Sequence, residues 1–169
     1  PFYDALLTSF ATACTGGFSV RNASIAAYGL PACEIIVTVF MLLCSVNFAV
    51  YFLLLTRRLK QALKSDELRF FLCAVLGAVA LIFWNLLPAY EAAGHTMRDT
   101  WFQVASVVST SGFSTADFAQ WPVLSQLVLI GLMFLGGCAG STAGGIKCSR
   151  ILLMLRCAGR SLSRLSHPR

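Results

Sequence analysis

Two short runs carry the residues best suited to hold a cation with main-chain oxygen: Thr15-Gly16-Gly17-Phe18-Ser19 and, 95 residues on, Thr110-Ser111-Gly112-Phe113-Ser114. An alkali cation that enters a narrow pore must shed its water, and the ligands that replace it are backbone carbonyls held in a ring. Glycine reaches backbone angles that let a carbonyl turn inward, so Gly17 and Gly112 are the candidate cation positions. Gly16, Ser111 and the carbonyl or hydroxyl oxygens of Thr15 and Thr110 stand beside them as further ligands. Phe18 and Phe113 are expected to pack outward as a rigid collar.

The elements around the two runs repeat as well. Asp4 precedes Gly17, and Asp99 precedes Gly112, by the same 13 residues. In that register 5 of the 21 positions from 4 to 24 are identical, and four of them are Thr15, Gly17, Phe18 and Ser19. Background likeness between apolar helices would not concentrate in a turn. Residues 4–14 and 99–109 read as half-helices, too short to cross a bilayer at 1.5 Å per residue. Asp4 and Asp99 are their expected N-caps, and their negative dipole ends point at the turns.

Longer apolar runs follow. Residues 33–56 predict one crossing of 24 residues, after an external loop through Arg21, Asn22 and Gly29, and residues 70–88 predict a second of 19. The segment 57–69 is the linker between them and 89–98 an external return loop. The last run, 121–157, would make about 55 Å of unbroken helix, more than a membrane needs. Five glycines within 136–145 (Gly136, Gly137, Gly140, Gly144 and Gly145) mark a break. Irregular backbone inside a bilayer is tolerated where it is buried in protein or lines a watery cavity.

Composition agrees with a membrane protein: 57% hydrophobic residues, only 12% charged, and a mean hydropathy of +0.76, against about 25% charged residues in ordinary domains. The net charge of +6 comes mainly from two groups. Arg57, Arg58, Lys60, Lys64 and Arg69 form one; Lys147, Arg150, Arg156, Arg160, Arg164 and Arg169 form the other. The positive-inside rule puts both in the cytoplasm, and Arg21 and Arg98 outside. No aromatic residues interleave with the basic ones, so a nucleic-acid surface is not indicated. The seven cysteines show no Cys-x-x-Cys pair and read as small hydrophobes. The opening Pro1-Phe2-Tyr3-Asp4 has no initiator Met, so the chain is expected to be part of a longer protein.

Other chemistry fits poorly. The run from Gly140 to Lys147 lacks the Gly-Lys-Ser/Thr of a phosphate loop, because Ile146 intervenes. Ser141, Cys138 or Cys148 could be nucleophiles, yet His95 and His167, in an external loop and a tail, are not expected near that depth to serve as base. Glu34, at a span end, needs no function; Asn47 reads as a bond to a neighbouring helix. Asp117 could attract cations or cap the following segment. The Gly136, Gly140 and Gly144 spacing also fits small-xxx-small helix packing.

The stretches TGGFSVRNASI (15–25), STSGFSTADFAQWP (109–122) and GGCAGSTAGGIK (136–147) resemble the Trk/Ktr/HKT superfamily of potassium transporters, most closely the bacterial membrane subunit of the Trk type. The resemblance implies an all-α membrane protein of repeated helix, re-entrant pore helix, helix units, four around one pore, the last helix here being broken. On that pattern 1–56 ends one unit, 57–69 is a cytoplasmic linker, 70–158 is the next unit and 159–169 a basic tail. The resemblance further implies K⁺ as the transported ion at Gly17 and Gly112, and a gate loop including Gly136, Gly137, Gly140, Ser141, Thr142, Gly144, Gly145 and Lys147. It implies a multi-pass protein of the bacterial inner membrane that is no enzyme and has no cofactor. Its partners would be the missing pore units, a second copy in a homodimer and a cytoplasmic nucleotide-binding regulatory subunit. An ordinary tandem-pore channel, the main alternative, would carry a second glycine after each aromatic; Phe18 and Phe113 lack one. A non-conducting scaffold would tolerate any change at Gly17 and Gly112.

Overall fold

The computed structural model describes residues 2–58, 60–61, 65–87 and 93–166. Lys64, Pro88, Ala89, His167 and Arg169, which entered the sequence reading, lie outside them. The described chain is helical: α1 (Phe2–Ala13), α2 (Pro31–Ser45), α3 (Phe48–Leu55), α4 (Asp66–Leu86), α5 (Ala93–Val108), α6 (Val123–Phe134) and α7 (Cys148–Ser166), with short 3-10 turns at Ser24–Tyr28 and Phe118–Gln120. At 21 residues and about 31 Å, α4 is long and apolar enough to cross a membrane. It starts four residues before the expected Phe70, with Asp66 and Glu67 in its first turn, where acids complement the helix dipole.

The crossing expected over 33–56 is not one helix. Pro31 starts α2, its fixed φ suiting the first helical position, but α2 and α3 meet at 93°. Val46 and Asn47 are extended, and the Asn47 side chain accepts a hydrogen bond from Ala49 N, capping α3. The carbonyls that the break leaves without helical partners are met from elsewhere in the chain. Ser45 O accepts from Cys138 N at 2.9 Å and Cys44 O from Thr142 N at 3.4 Å. The glycine-rich segment thus fills the elbow, and Asn47 serves its own helix's start besides lying against Gly140.

Both expected aspartate caps are corrected. Asp4 sits inside the first turn of α1 and pairs with Arg21 at 3.4 Å. Asp99 lies well inside α5, which begins at Ala93, so Arg98 is helical and not in a return loop. Nor is Glu34 idle: it is 7% exposed on α2 and its Oε2 lies 2.6 Å from Arg98 Nε on α5. Taking one partner from a buried ion pair leaves the other charge uncompensated. Arg98→Met is therefore expected to destabilise the α2–α5 contact by about 3 kcal/mol, lowering the thermal unfolding midpoint in detergent. The double variant Arg98→Met with Glu34→Gln should recover most of the loss.

The core surrounds α5. Phe71, Val75, Val79 and Ile82 of α4 meet Val104, Val108, Leu129 and Leu132 on one side. Val37 and Met41 of α2 meet Phe102, Ala105 and Phe113 on the other. In contrast α1 rests on α2 and buries Thr12 alone. Outward faces carry Phe40, Leu76, Trp84 and Leu127, each more than half exposed, an apolar surface of the kind that faces lipid. Helix α7 continues past 158 to Ser166, so the segment read as a tail begins as helix.

Candidate functional site

Each half-helix ends in the same way. After α1, Gly16 N bonds to Ala11 O at 2.9 Å and Thr15 N to Thr12 O at 3.2 Å; after α5, Ser111 N bonds to Ser106 O and Thr110 N to Val107 O, both at 3.1 Å. This double bond pattern closes a helix with a left-handed residue, usually glycine. Here that residue is threonine: Thr15 has φ +52° and Thr110 φ +58°. A β-branched residue in this region is an outlier that costs about 1–2 kcal/mol.

The hydroxyls give the threonines a use that glycine could not supply. Thr15 Oγ1 is 3.0 Å from Thr142 O, and Thr110 Oγ1 accepts from Gly144 N at 2.7 Å. Both turns therefore rest on the glycine-rich segment. Two residues on, Gly17 (φ +67°) and Gly112 (φ +75°) repeat a second left-handed position. The turns also abut: a Cβ placed on Gly17 would lie 1.5 Å from Ser111 O, whereas one on Gly112 meets open space. The carboxyl ends of α1 and α5, with their partial negative charge, point at this junction.

The two aromatic residues differ in burial within this chain. Phe113 is 2% exposed and packs with Ile25, Met41 and Phe102, but Phe18 is 83% exposed. It borders an open hollow with Leu7, Phe10, Ala11 and Val20. Within this chain α5 is enclosed by α2, α4 and α6, whereas α1 packs on α2. Two supports of the second turn escaped the sequence reading. Ser106 Oγ donates to Phe113 O at 2.6 Å, and Gln103 Nε2 to Ala116 O at 2.8 Å. A glutamine and a serine three apart on a buried helix were the available signal. The matching positions before the first turn are Thr8 and Ala11. Asp117 caps the turn Phe118–Gln120 by accepting from Ala119 N at 3.0 Å.

Between α6 and α7 the chain forms a loop with a closed neck. Gly136 N bonds to Ile146 O at 2.9 Å and Cys148 N to Gly137 O at 3.2 Å. A Cβ on Gly136 would lie 2.0 Å from Gly144 O, so the neck closes only around a bare Cα. Gly140 and Gly145 are also in left-handed conformations. Because 136–145 is not helical, the small-xxx-small spacing does not describe helix packing. Lys147, counted with the basic tail, turns back instead and donates to Ala143 O, with Ser141 O at 3.5 Å. Cys138 and Cys148 are buried, and the Cys148 thiol donates to Gly136 O at 3.1 Å. Glu67 was unmarked in the sequence: its Oε1 accepts from Ala139 N at 2.6 Å and Ser149 N at 3.1 Å.

Known proteins resemble this chain in sequence and in fold. The chain is 38% identical over 174 residues to the Trk system potassium uptake protein TrkH of Salmonella typhimurium, and 39% over 172 residues to that of Escherichia coli K12. These alignments cover 99% and 98% of this chain but 35% of each relative, so the chain spans about a third of their length. The crystal structure of the potassium transporter TrkH from Vibrio parahaemolyticus matches with a TM-score of 0.92 at 36% identity, over 99% of this chain and 37% of that one. The profile of the family TrkH, described as cation transport protein, matches residues 1–169. The repeated half-helix and turn on an all-α membrane scaffold, together with that match along the whole chain, make this protein a member of the TrkH family.

Proposed function

We propose that the complete protein takes up potassium across the bacterial inner membrane, passing K⁺ along backbone carbonyls at 15–17 and 110–112 and gating it with the loop 136–145. One observation carries this reading: two turns of the same left-handed Thr-x-Gly form abut, and each is tied by its threonine hydroxyl to one loop. Carbonyls of Thr15, Gly16, Gly17, Thr110, Ser111 and Gly112 replace the water of the entering ion. The carboxyl ends of α1 and α5 add negative potential there. The loop lies across the inner side of the turns, with Thr142 and Gly144 in contact with them, and must move for ions to pass. This chain holds two such turns; the remaining pore units belong to the rest of the same subunit. The names of the relatives supply potassium as the ion.

Partners follow from the same reading. The complete subunit works as a homodimer with a cytoplasmic nucleotide-binding regulatory subunit, and the basic face of α7, with Arg150, Arg156 and Arg160 exposed, lies on the cytoplasmic side.

The test is potassium uptake by cells that lack their own uptake systems and carry the complete subunit with Gly112→Ser. No atom of this chain lies within 4 Å of a Cβ placed there, and the left-handed backbone costs about 1 kcal/mol, so the packing of this chain does not prevent the variant from inserting. Its preference for K⁺ over Na⁺ is expected to fall about tenfold, the effect of about 1.4 kcal/mol. Unchanged selectivity in an inserted variant would remove Gly112 from the ion path.

A further inference from the structure

One carboxylate from outside the glycine-rich loop holds both of its limbs. Glu67, partly buried in the first turn of α4, directs a single oxygen at Ala139 N and Ser149 N. Ala139 is on the limb leaving α6. Ser149 is in the first turn of α7, where amides lack helical acceptors. An acid at this place in a helix ordinarily complements its own amino terminus. Glu67 instead satisfies amides of another segment, and its neighbour Asp66 pairs with Arg156 of α7, fixing the start of α4 beside that helix.

Among the described residues, the other bonds that fasten the loop to the body are between neutral groups: those to Ser45 O, Cys44 O, Phe48 N, Thr15 and Thr110. Bonds to an ionised acceptor are about twice as strong as neutral ones. Lys147 acts from within, drawing Ser141 O and Ala143 O together; it preserves the loop's shape without fastening it to α4.

We propose that Glu67 is the latch of the loop, a positioning residue whose carboxylate holds the two limbs against α4 and whose release frees 136–147 to leave the turns. The proposal deepens the gating role given above and rests on it for its consequence in transport, though not for the motion itself. Glycine-rich backbone gives the freed loop other conformations at low steric cost, and Thr142, Gly144 and Gly145 are already exposed.

The experiment compares the complete subunit with its Glu67→Ala and Glu67→Gln variants in lipid nanodiscs, reading amide hydrogen exchange over 140–147. That stretch contains neither amide bonded by Glu67, so faster exchange there reports movement of the loop and not the loss of two local bonds. Exchange is expected to be about tenfold faster in Glu67→Ala. In Glu67→Gln, which keeps an oxygen acceptor without the charge, it should be intermediate. Unchanged exchange in both variants overturns the latch, and if Glu67→Ala does not insert, Glu67→Gln alone decides.

Rubidium uptake separates this result from the gating role. Faster exchange with a raised maximal rate and unchanged KM supports latch and gate together. Faster exchange with unaltered uptake upholds the latch and removes the gate.

Discussion

Serine in place of Gly17 is expected to reduce potassium uptake by the complete protein about a hundredfold, the loss that follows when reacting or binding groups are misplaced by about 1 Å. The cause is steric before it is conformational. A Cβ at Gly17 would stand 1.5 Å from Ser111 O, far inside contact distance, and that oxygen belongs to the backbone of the other turn. No rotamer relieves such a clash, so one turn must retreat and the facing carbonyls lose their spacing. Gly112 is left-handed as well, but no atom of this chain stands within 4 Å of a Cβ placed on it, so its serine variant meets no clash from the first turn and should transport with altered preference while the Gly17 variant scarcely transports. Uptake rates normalised to the amount of protein in the membrane distinguish the two. Equal, near-parental rates in both variants would show that the turns do not meet around the ion.

Alanine in place of Gly136 is expected to raise basal flux about tenfold. Its methyl group would lie 2.0 Å from Gly144 O, which forces the neck open. Gly144 N is the donor to Thr110 Oγ1, so displacing this residue also breaks the tie between loop and second turn, a bond worth about 1 kcal/mol. Together the clash and the lost bond amount to the tenfold shift that about 1.4 kcal/mol produces. Rubidium influx at saturating concentration measures it; KM should stay constant because Gly112 and its carbonyls remain in place. A parental rate in a correctly inserted variant would mean that the loop does not obstruct the path.

The two turns differ in their surroundings within this chain. Phe18 and Phe113 occupy equivalent positions, yet one is open and the other buried. Both turns keep left-handed Thr15 and Thr110, which are bonded to the distant loop, but a side chain is buried only if other elements stand beside it. In the second unit α2, α4 and α6 surround α5, and Ser106 and Gln103 hold the turn from behind. In the first, Ala11 stands where Ser106 would be.

Features that depend on a few consecutive residues were legible from the chain alone. The apolar character of the runs, the break of the last one at 136–145 and the repeated Thr-x-Gly turn all follow from local backbone preference and from the distance a helix must span. Features that depend on partners far along the chain were not. The elbow at Asn47 has no proline or glycine to announce it and persists because Cys138 and Thr142 occupy the freed carbonyls of Ser45 and Cys44. Asp99 looked like a cap because it began the matching register, but the helix that contains it starts earlier. Glu34, Arg98 and Lys147 were read by their charge and position near span ends, and Glu67 carried no mark at all, whereas each is bound to a group the fold brings to it. The amino-acid order determined which stretches were apolar and where glycines let the backbone turn, because those are local steric and hydrophobic properties. Which polar groups met was decided only when the helices packed, because a buried charge or an unpaired carbonyl must find a partner wherever the tertiary structure supplies one.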